Sequence, residues 1–407
     1  MDYPNSIETE KELAIRLHQF FTSDRIENLA REAKFIERST SRLTGQMFLQ
    51  MNIFNTSSGD ERSLNDQCEY LEETYGIELK KQSLDERYNT YAVSFMKQCY
   101  ERLLVEVLQP YVEPFNATNS ENANFFNSIE LIDATTFDLS SALTVFYKGG
   151  GNVSSSVKLH HRYELLRGET LDIKIVSGHE NDACYLQDLN HQLTAGCLYM
   201  KDLGYVNLEH FERIDQEKGY FLSRFRSSIN CYIKNKAGHY EEIQMVDLVP
   251  AWGQDKDIPC IYIGKKKLKV RMIIQSLPEE LIEKRKKKVI RNNKTHGSKT
   301  FHENTLLLCH YNVYITNADV SLLPRDKIRF LYALRWQIEL IFKIWKSVFD
   351  IDKVKQMNIF RFECYLYGRL MAILLSEKIQ NLYRDYLWEV EEIEISEYKC
   401  AKILKKT

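Results

Sequence analysis

Between Ile129 and Arg226 the chain alternates short apolar runs with turn residues and two helix-length segments, and no other feature narrows the fold as much. "IELI" is a strand that ends on Asp133. "ALTVFYKGG", "SSVKLHHRYELL" and "ETLDIKIVSG" read as three further strands joined by turns. A helix near residues 181 to 193 follows, then the buried strand "AGCLYMK" ending on Asp202, a short helix "LEHFERIDQEKG" and the strand "YFLSRFR". This order predicts an α/β layer with a mixed sheet, not a doubly wound one. If the crossover makes the first and later strands parallel neighbours, Asp133 and Asp202 meet at one sheet edge.

The flanking segments differ in character. Residues 1–113 read as helices, with a helix-turn-helix near 63–95 where "SLNDQCEYLEETYG" turns at Gly76. Residues 114–226 form the first part of the α/β core, and 227–305 a mostly β insertion closing with the basic helix "PEELIEKRKKKVIRNN". Residues 306–375 return to the core, and 376–407 form a short C-terminal helical tail. Five segments in 407 residues, 44% of them hydrophobic, exceed one ordinary core.

Charge and cysteine content exclude several classes. The formal net charge is -2, so the chain is not a uniformly basic nucleic-acid binder, yet Lys265 to Lys299 holds 13 Lys and Arg against 3 Glu. That density marks either a solvated face or a surface that tracks phosphates. Nine scattered cysteines with no C-x-x-C pair give neither a disulfide framework nor a cysteine zinc site. No apolar run reaches a membrane span and the N-terminus lacks a signal peptide, so a cytoplasmic location is expected.

"YALRWQIELIFKIWK", residues 332 to 346, is the most informative short stretch. On a continuous helix Leu331, Leu334, Ile338, Ile341, Phe342 and Trp345 form an apolar stripe, while Tyr332, Arg335, Glu339 and Lys346 project together beside it. A core helix flanked by ordinary ion pairs explains this pattern, and so does a catalytic carboxylate among phosphate-holding cations. Three acids at Asp133, Asp202 and Glu339 without matching cations would repel one another unless hard divalent ions filled the site.

The spacing Tyr332-x-x-Arg335-x-x-x-Glu339 followed by Lys346, with "IDATTFDLS" around Asp133, "KDLGYVNLEHFERI" around Asp202 and "YITNADVSLLP" ahead of the helix, resembles the DDE transposases of bacterial insertion sequences. The subgroup is insertion-sequence family four, known by its Tyr-Arg-Glu-Lys signature. The resemblance implies a ribonuclease H-like mixed-sheet catalytic core, interrupted by the mostly β insertion and preceded by a helical N-terminal DNA-binding domain. It implies catalysis by Asp133, Asp202 and Glu339 around two Mg²⁺ ions, with Mn²⁺ able to substitute. Tyr332, Arg335, Lys343 and Lys346 would contact DNA, and Tyr311 would stack on a flipped base. The implied partners are double-stranded DNA with terminal inverted repeats, target DNA, and a second copy of the chain in a synaptic homodimer. The implied reaction cleaves element ends and joins the 3′-hydroxyl to target DNA, cut-and-paste, with a hairpin intermediate as one route. A non-catalytic relative that represses the element by binding its repeats is the alternative, and a nuclease of the same core that never joins strands is a third reading.

Overall fold

The computed structural model describes residues 6–38, 41–54, 63–108, 126–295 and 303–404. The chain forms two compact units: Met1–Phe115, Ala134–Glu180 and Glu339–Thr407 make the first, and Asn116–Asp133 with Asn181–Ile338 the second. This cuts the chain differently from five consecutive segments.

In the first unit lie α1 (Ser6–Phe20), α2 (Ser23–Glu32), α3 (Gly45–Phe54), α4 (Leu64–Tyr75), α5 (Lys81–Asp85) and α6 (Thr90–Arg102), the last continued by a π-helical stretch, Leu103–Leu108. A capping box joins Ser63 and Asp66 at the start of α4, and Gly76 closes it in the left-handed conformation (φ 66°). The second helix of the expected helix-turn-helix is only the five residues of α5, since Asn89 caps a new helix, α6, directly after it.

The strand β1 (Ser128–Asp138) passes from the second unit to the first between Asp133 and Ala134. The hairpin of β2 (Ser156–Glu164) and β3 (Glu169–Ser177) belongs to the first unit. "ALTVFYKGG" is not a strand. Ser140 caps a 3₁₀ turn over Ser141–Leu143, and Val145 and Phe146, 90% and 57% exposed, have no sheet face to cover them.

Most of the sheet lies in the second unit, with β4 (Cys197–Lys201), β5 (Tyr220–Arg224), β6 (Cys231–Lys234), β7 (Tyr240–Ile243), β8 (Lys256–Ile263), β9 (Leu268–Ser276) and β10 (Tyr311–Thr316) in the order β1-β4-β5-β10-β9-β8-β6-β7. The helices of this unit are α7 (Asp182–Leu189), α8 (Leu208–Gln216), α9 (Met245–Leu248), α10 (Glu279–Thr295), α11 (Glu303–Leu307) and α12 (Arg325–Leu334). Every residue of β4 and of β10 is buried, which requires both faces of these strands to be covered. The β insertion extends the core sheet, because β9 pairs antiparallel with β10.

The helix read as continuous through residue 346 is broken. Past α12, Arg335 keeps helical angles (φ -52°, ψ -28°), but its N–H bonds back three residues to Tyr332 O at 3.2 Å, and α13 (Trp336–Ser347) starts after it. This tighter turn shifts Glu339 and Lys346 in phase relative to Tyr332. The apolar stripe survives, since Ile338, Ile341, Phe342 and Trp345 are all buried.

Two C-terminal helices, α14 (Ile359–Glu391) and α15 (Glu397–Leu404), complete the first unit. At Gly368 the backbone of α14 comes so close to α3 that a Cβ there would lie 2.2 Å from Asn52 O. This contact, with α14 also against α6, merges the N-terminal helices and the C-terminal region into one compact unit. No helix among the described residues is long and apolar enough to cross a membrane.

Candidate active site

Strands β1 and β4 run parallel, in register from Ser128↔Cys197 to Ile132↔Lys201. Asp133 and Asp202 each come one residue past the last of these pairs, so they stand side by side where the parallel pairing stops, about 4.8 Å apart in backbone terms; Asp202 follows the end of β4, but the first strand does not end on Asp133 as expected, since β1 runs on to Asp138. Beyond Asp202 the chain turns through a 3₁₀ segment, Leu203–Tyr205, in which Tyr205 N–H donates to Asp202 O at 3.0 Å. The buried Tyr205 phenol is pushed well up, first by burial and then by the carboxylates of Asp182, Asp133 and Asp202. Asp182 therefore belongs to this acidic corner, and a Cβ on Gly204 would lie 3.3 Å from its Oδ2. Sequence reasoning missed Asp182 because an acid in the first turn of a helix reads as a partner of the helix dipole.

The end of α12 reaches both strand ends. Tyr332 Oη donates to Lys201 O, the carbonyl before Asp202, at 3.4 Å, and its ring meets Tyr314 of β10 edge-on at 5.3 Å. Burial, with Asp202 adding to it and Arg335 opposing, leaves the Tyr332 phenol pushed up to about 12, so it keeps its proton at neutral pH. One turn on, Arg335 Nη1 donates to Asp133 Oδ2 at 3.4 Å.

Behind Asp202 the strand is anchored by a buried polar chain. Lys201 donates to His210 Nε2, and His210 Nδ1 lies 2.7 Å from Asn190 Oδ1. Burial and then the Lys201 charge push this imidazole down to about 2. A neutral ring accepting from Lys201 at Nε2 carries its proton on Nδ1 and gives it to Asn190.

The remaining sequence-derived candidates have other surroundings. Glu339 lies in the first turn of α13 and is half-buried. Lys343 is exposed, while Lys346 Nζ donates to Thr136 O at 3.1 Å. Tyr311 is buried at 5% exposure, with its hydroxyl donating to Pro250 O at 2.8 Å, so its ring offers no face to a base. The exposed aromatic of that neighbourhood is Trp252, two residues past Pro250 and 60% exposed.

Adjacent aspartates supply hard oxygen donors of the kind Mg²⁺ takes, and Arg335 on Asp133 shows that the carboxylate is open to a cation. Among the described residues no three His, Cys, Asp or Glu side chains are grouped to hold a metal ion as they stand.

Residues 124–375 match the family described as transposase DDE domain. The chain is 35% identical over 413 aligned residues to the transposase for insertion sequence element IS1151 of Clostridium perfringens, covering 96% of this chain and 85% of that protein. It is 31% identical to the IS231E transposase of Bacillus thuringiensis subsp. finitimus, over 98% and 86% of the two chains. In fold it resembles the piggyBac transposase of a synaptic complex with hairpin DNA, with a TM-score of 0.51 and 9% identity over 97% of this chain and 79% of that one. The parallel strand ends with their paired aspartates sit within the matched region, and the chain belongs to the DDE transposases, with the ribonuclease H-like fold of that family.

Proposed function

We propose that this transposase cleaves the ends of an insertion sequence and joins the freed 3′-hydroxyl to target DNA, with Asp133, Asp202 and Glu339 as the acidic triad. The observation that carries the reading is the side-by-side position of Asp133 and Asp202 just past the last parallel pair of β1 and β4. Glu339, four residues past Arg335 in the signature, is the third acid of this reading. These carboxylates would hold two Mg²⁺ ions, which when bound lower the pKa of an attacking water or hydroxyl and stabilise the leaving oxygen of an in-line displacement.

The chain's own residues do the positioning. Arg335 presents a planar fork that suits a phosphate. Tyr332, protonated at neutral pH, is a hydrogen-bond donor beside it. Lys343 and Lys346 supply charge along α13 for the strand being cut, and the Lys and Arg residues of α10 are a separate stretch suited to phosphates. Double-stranded DNA with terminal inverted repeats is the substrate, target DNA the acceptor, and a homodimer the assembly that pairs two ends. The reaction is cut-and-paste, with a hairpin as the intermediate to look for, and the Tyr332-Arg335-Glu339-Lys346 signature supports membership of insertion-sequence family four.

The test is cleavage of a DNA carrying the element's own terminal repeats, with Mg²⁺ or Mn²⁺. The wild-type chain is expected to nick and then join, and Glu339→Gln to abolish both while retaining DNA binding. Undiminished cleavage by Glu339→Gln removes that residue from the triad.

A further inference from the structure

The distal strands of the second unit pair in the order β9-β8-β6-β7, with β7 at the edge of the sheet. Residues directly opposite on antiparallel strands point to the same side, so the register sorts their side chains into two faces. Lys269, Tyr262, Tyr232 and Glu242 lie across from one another in turn, and Lys234 with Tyr240 makes the next pair on that side. The alternate positions Val270, Ile261, Ile263 and Cys231 are all buried, so the other face packs inward. The first face looks to solvent: Lys234, Tyr240, Glu242 and Lys269 are exposed, with Tyr232 and Tyr262 half-buried among them.

On this face the rings alternate with cations. Tyr240 and Tyr262 meet edge to face, with centroids 4.9 Å apart and planes at 78°, a contact that uses only one ring face between them. Lys234 Nζ stands 5.6 Å from the Tyr240 centroid, and Lys267 Nζ lies over the Tyr232 ring. Lys267 reaches it from the turn between β8 and β9 with φ 58°, a left-handed conformation that costs a lysine more than a glycine. Lys266 of the same turn pairs instead with Glu209 and Glu212. Lys234, Lys267 and Lys269 against Glu242 make the face basic, although the chain as a whole has a net charge of -2.

We infer that this face binds single-stranded DNA, with bases stacked on Tyr240 and Tyr262 and phosphates beside Lys234, Lys267 and Lys269. Charge complementarity selects a phosphate backbone, and the rings select its unpaired form: a duplex satisfies lysines but hides the faces of its bases, whereas a single strand offers both. Four strands span about 14 Å, and a four-stranded sheet of that width stacks two or three bases in other nucleic-acid binders. The inference rests on the proposed reaction only for DNA as the substrate, whose cutting and joining expose unpaired strands. It needs neither a metal ion nor the acids.

The experiment follows a fluorescently labelled oligothymidine of about twelve nucleotides, within the range one such surface occupies, by anisotropy against the intact chain in EDTA, with a duplex of arbitrary sequence in parallel. The wild type is expected to bind the oligothymidine, and Tyr240→Ala and Tyr262→Ala to bind it about tenfold more weakly while keeping their duplex affinity. Tyr240→Phe and Tyr262→Phe are expected to bind as the wild type does, because stacking uses the ring and not the hydroxyl. Lys234→Gln is expected to flatten the log–log salt dependence by about 0.7, one phosphate contact fewer; this exposed position serves if an alanine variant does not fold. No binding of oligothymidine by the wild type, full affinity in the alanine variants, an equal loss of duplex affinity, or an unchanged salt slope in Lys234→Gln overturns the inference. So does a concentration-dependent self-association that the alanine variants lose while oligothymidine binding stays, which would make the face a contact between copies of the chain. With no metal present and no cleavage scored, these outcomes leave the acidic triad untouched, and failed cleavage of element ends leaves this face untouched.

Discussion

Replacing Glu377 with Gln should make the protein more stable at alkaline pH and leave it unchanged in acid. Glu377, on α14, accepts from Thr170 Oγ1 at 2.9 and 2.8 Å through its two oxygens. The same hydroxyl lies 2.9 Å from His161 Nε2. Thr170 has one proton to give, so it accepts from His161 while donating to Glu377. Burial pushes His161 down to about 3, and this neutral ring packs 4.8 Å from Trp345. The carboxyl thus has only the hydroxyl and backbone N–H of Thr170 as donors and a cavity of about 40 Å³ beside Glu397, while neighbouring Glu169 already holds Lys378.

Burial, only partly opposed by Thr170, pushes the carboxyl of Glu377 up to about 8 from an ordinary 4.5. The folded chain therefore keeps a proton that the unfolded chain gives up, so the contribution of Glu377 is fully present below pH 4.5 and is lost as pH rises to about 8. A rise of that size corresponds to at most roughly 4–5 kcal/mol. The assay is urea denaturation of both proteins at pH 5, 7 and 9. Using their difference cancels the opposite trend from His161 and His210, whose depressed values cost stability as pH falls below 6.5. The difference should be near zero at pH 5 and largest at pH 9. Equal slopes for the two proteins would refute the reasoning, because they would mean that Glu377 is ionised in the folded state at neutral pH.

Two other outcomes are expected. Gly368→Ala drives a methyl group into the Asn52 carbonyl, 2.2 Å away, and should cost about 2–4 kcal/mol in thermal or urea unfolding. Trp252→Ala, at 60% exposure, should leave stability within about 0.5 kcal/mol but weaken binding to a duplex with an unpaired base several-fold, whereas Tyr311→Phe, which removes only the bond to Pro250 O, should cost about 1 kcal/mol of stability and no DNA affinity; DNA titration monitored by tryptophan fluorescence and by anisotropy checks both.

The legible part of the sequence was the part written in local pattern. The apolar runs before Asp133 and Asp202 mark two strands, though β1 runs on past Asp133 to Asp138, and β4, buried throughout, lacks the alternation that would betray an exposed face. What was not legible depended on contacts. "ALTVFYKGG" has the composition of a strand, but the Ser140-capped turn leaves Val145 outside any sheet. Tyr311 reads equally well as a base platform or a core tyrosine, and only the all-buried β10 and the carbonyl of Pro250 decide between them. Nothing at Arg335 announces a break, because neither Gly nor Pro stands there. Asp182 is invisible for a similar reason: its sequence context is complete without a site.

The three-residue spacing of Tyr332 and Arg335 has a physical reason that the two strand ends supply. Residues three apart on a helix present their side chains about 5–6 Å from each other, and neighbouring strands lie about 4.8 Å apart. One helical turn therefore spans one strand gap, with Tyr332 on the β4 side at Lys201 O and Arg335 on the β1 side at Asp133. A spacing of two would send the residues to opposite faces of the helix, and a spacing of five would spoil the match again. The acids themselves are under no such constraint: Asp133 and Asp202 meet through strand pairing, so the chain between them is free to hold a hairpin and a helix. The Tyr332–Arg335 part of the signature is compact because a helix reads two strands, and the aspartates are scattered because a sheet gathers them.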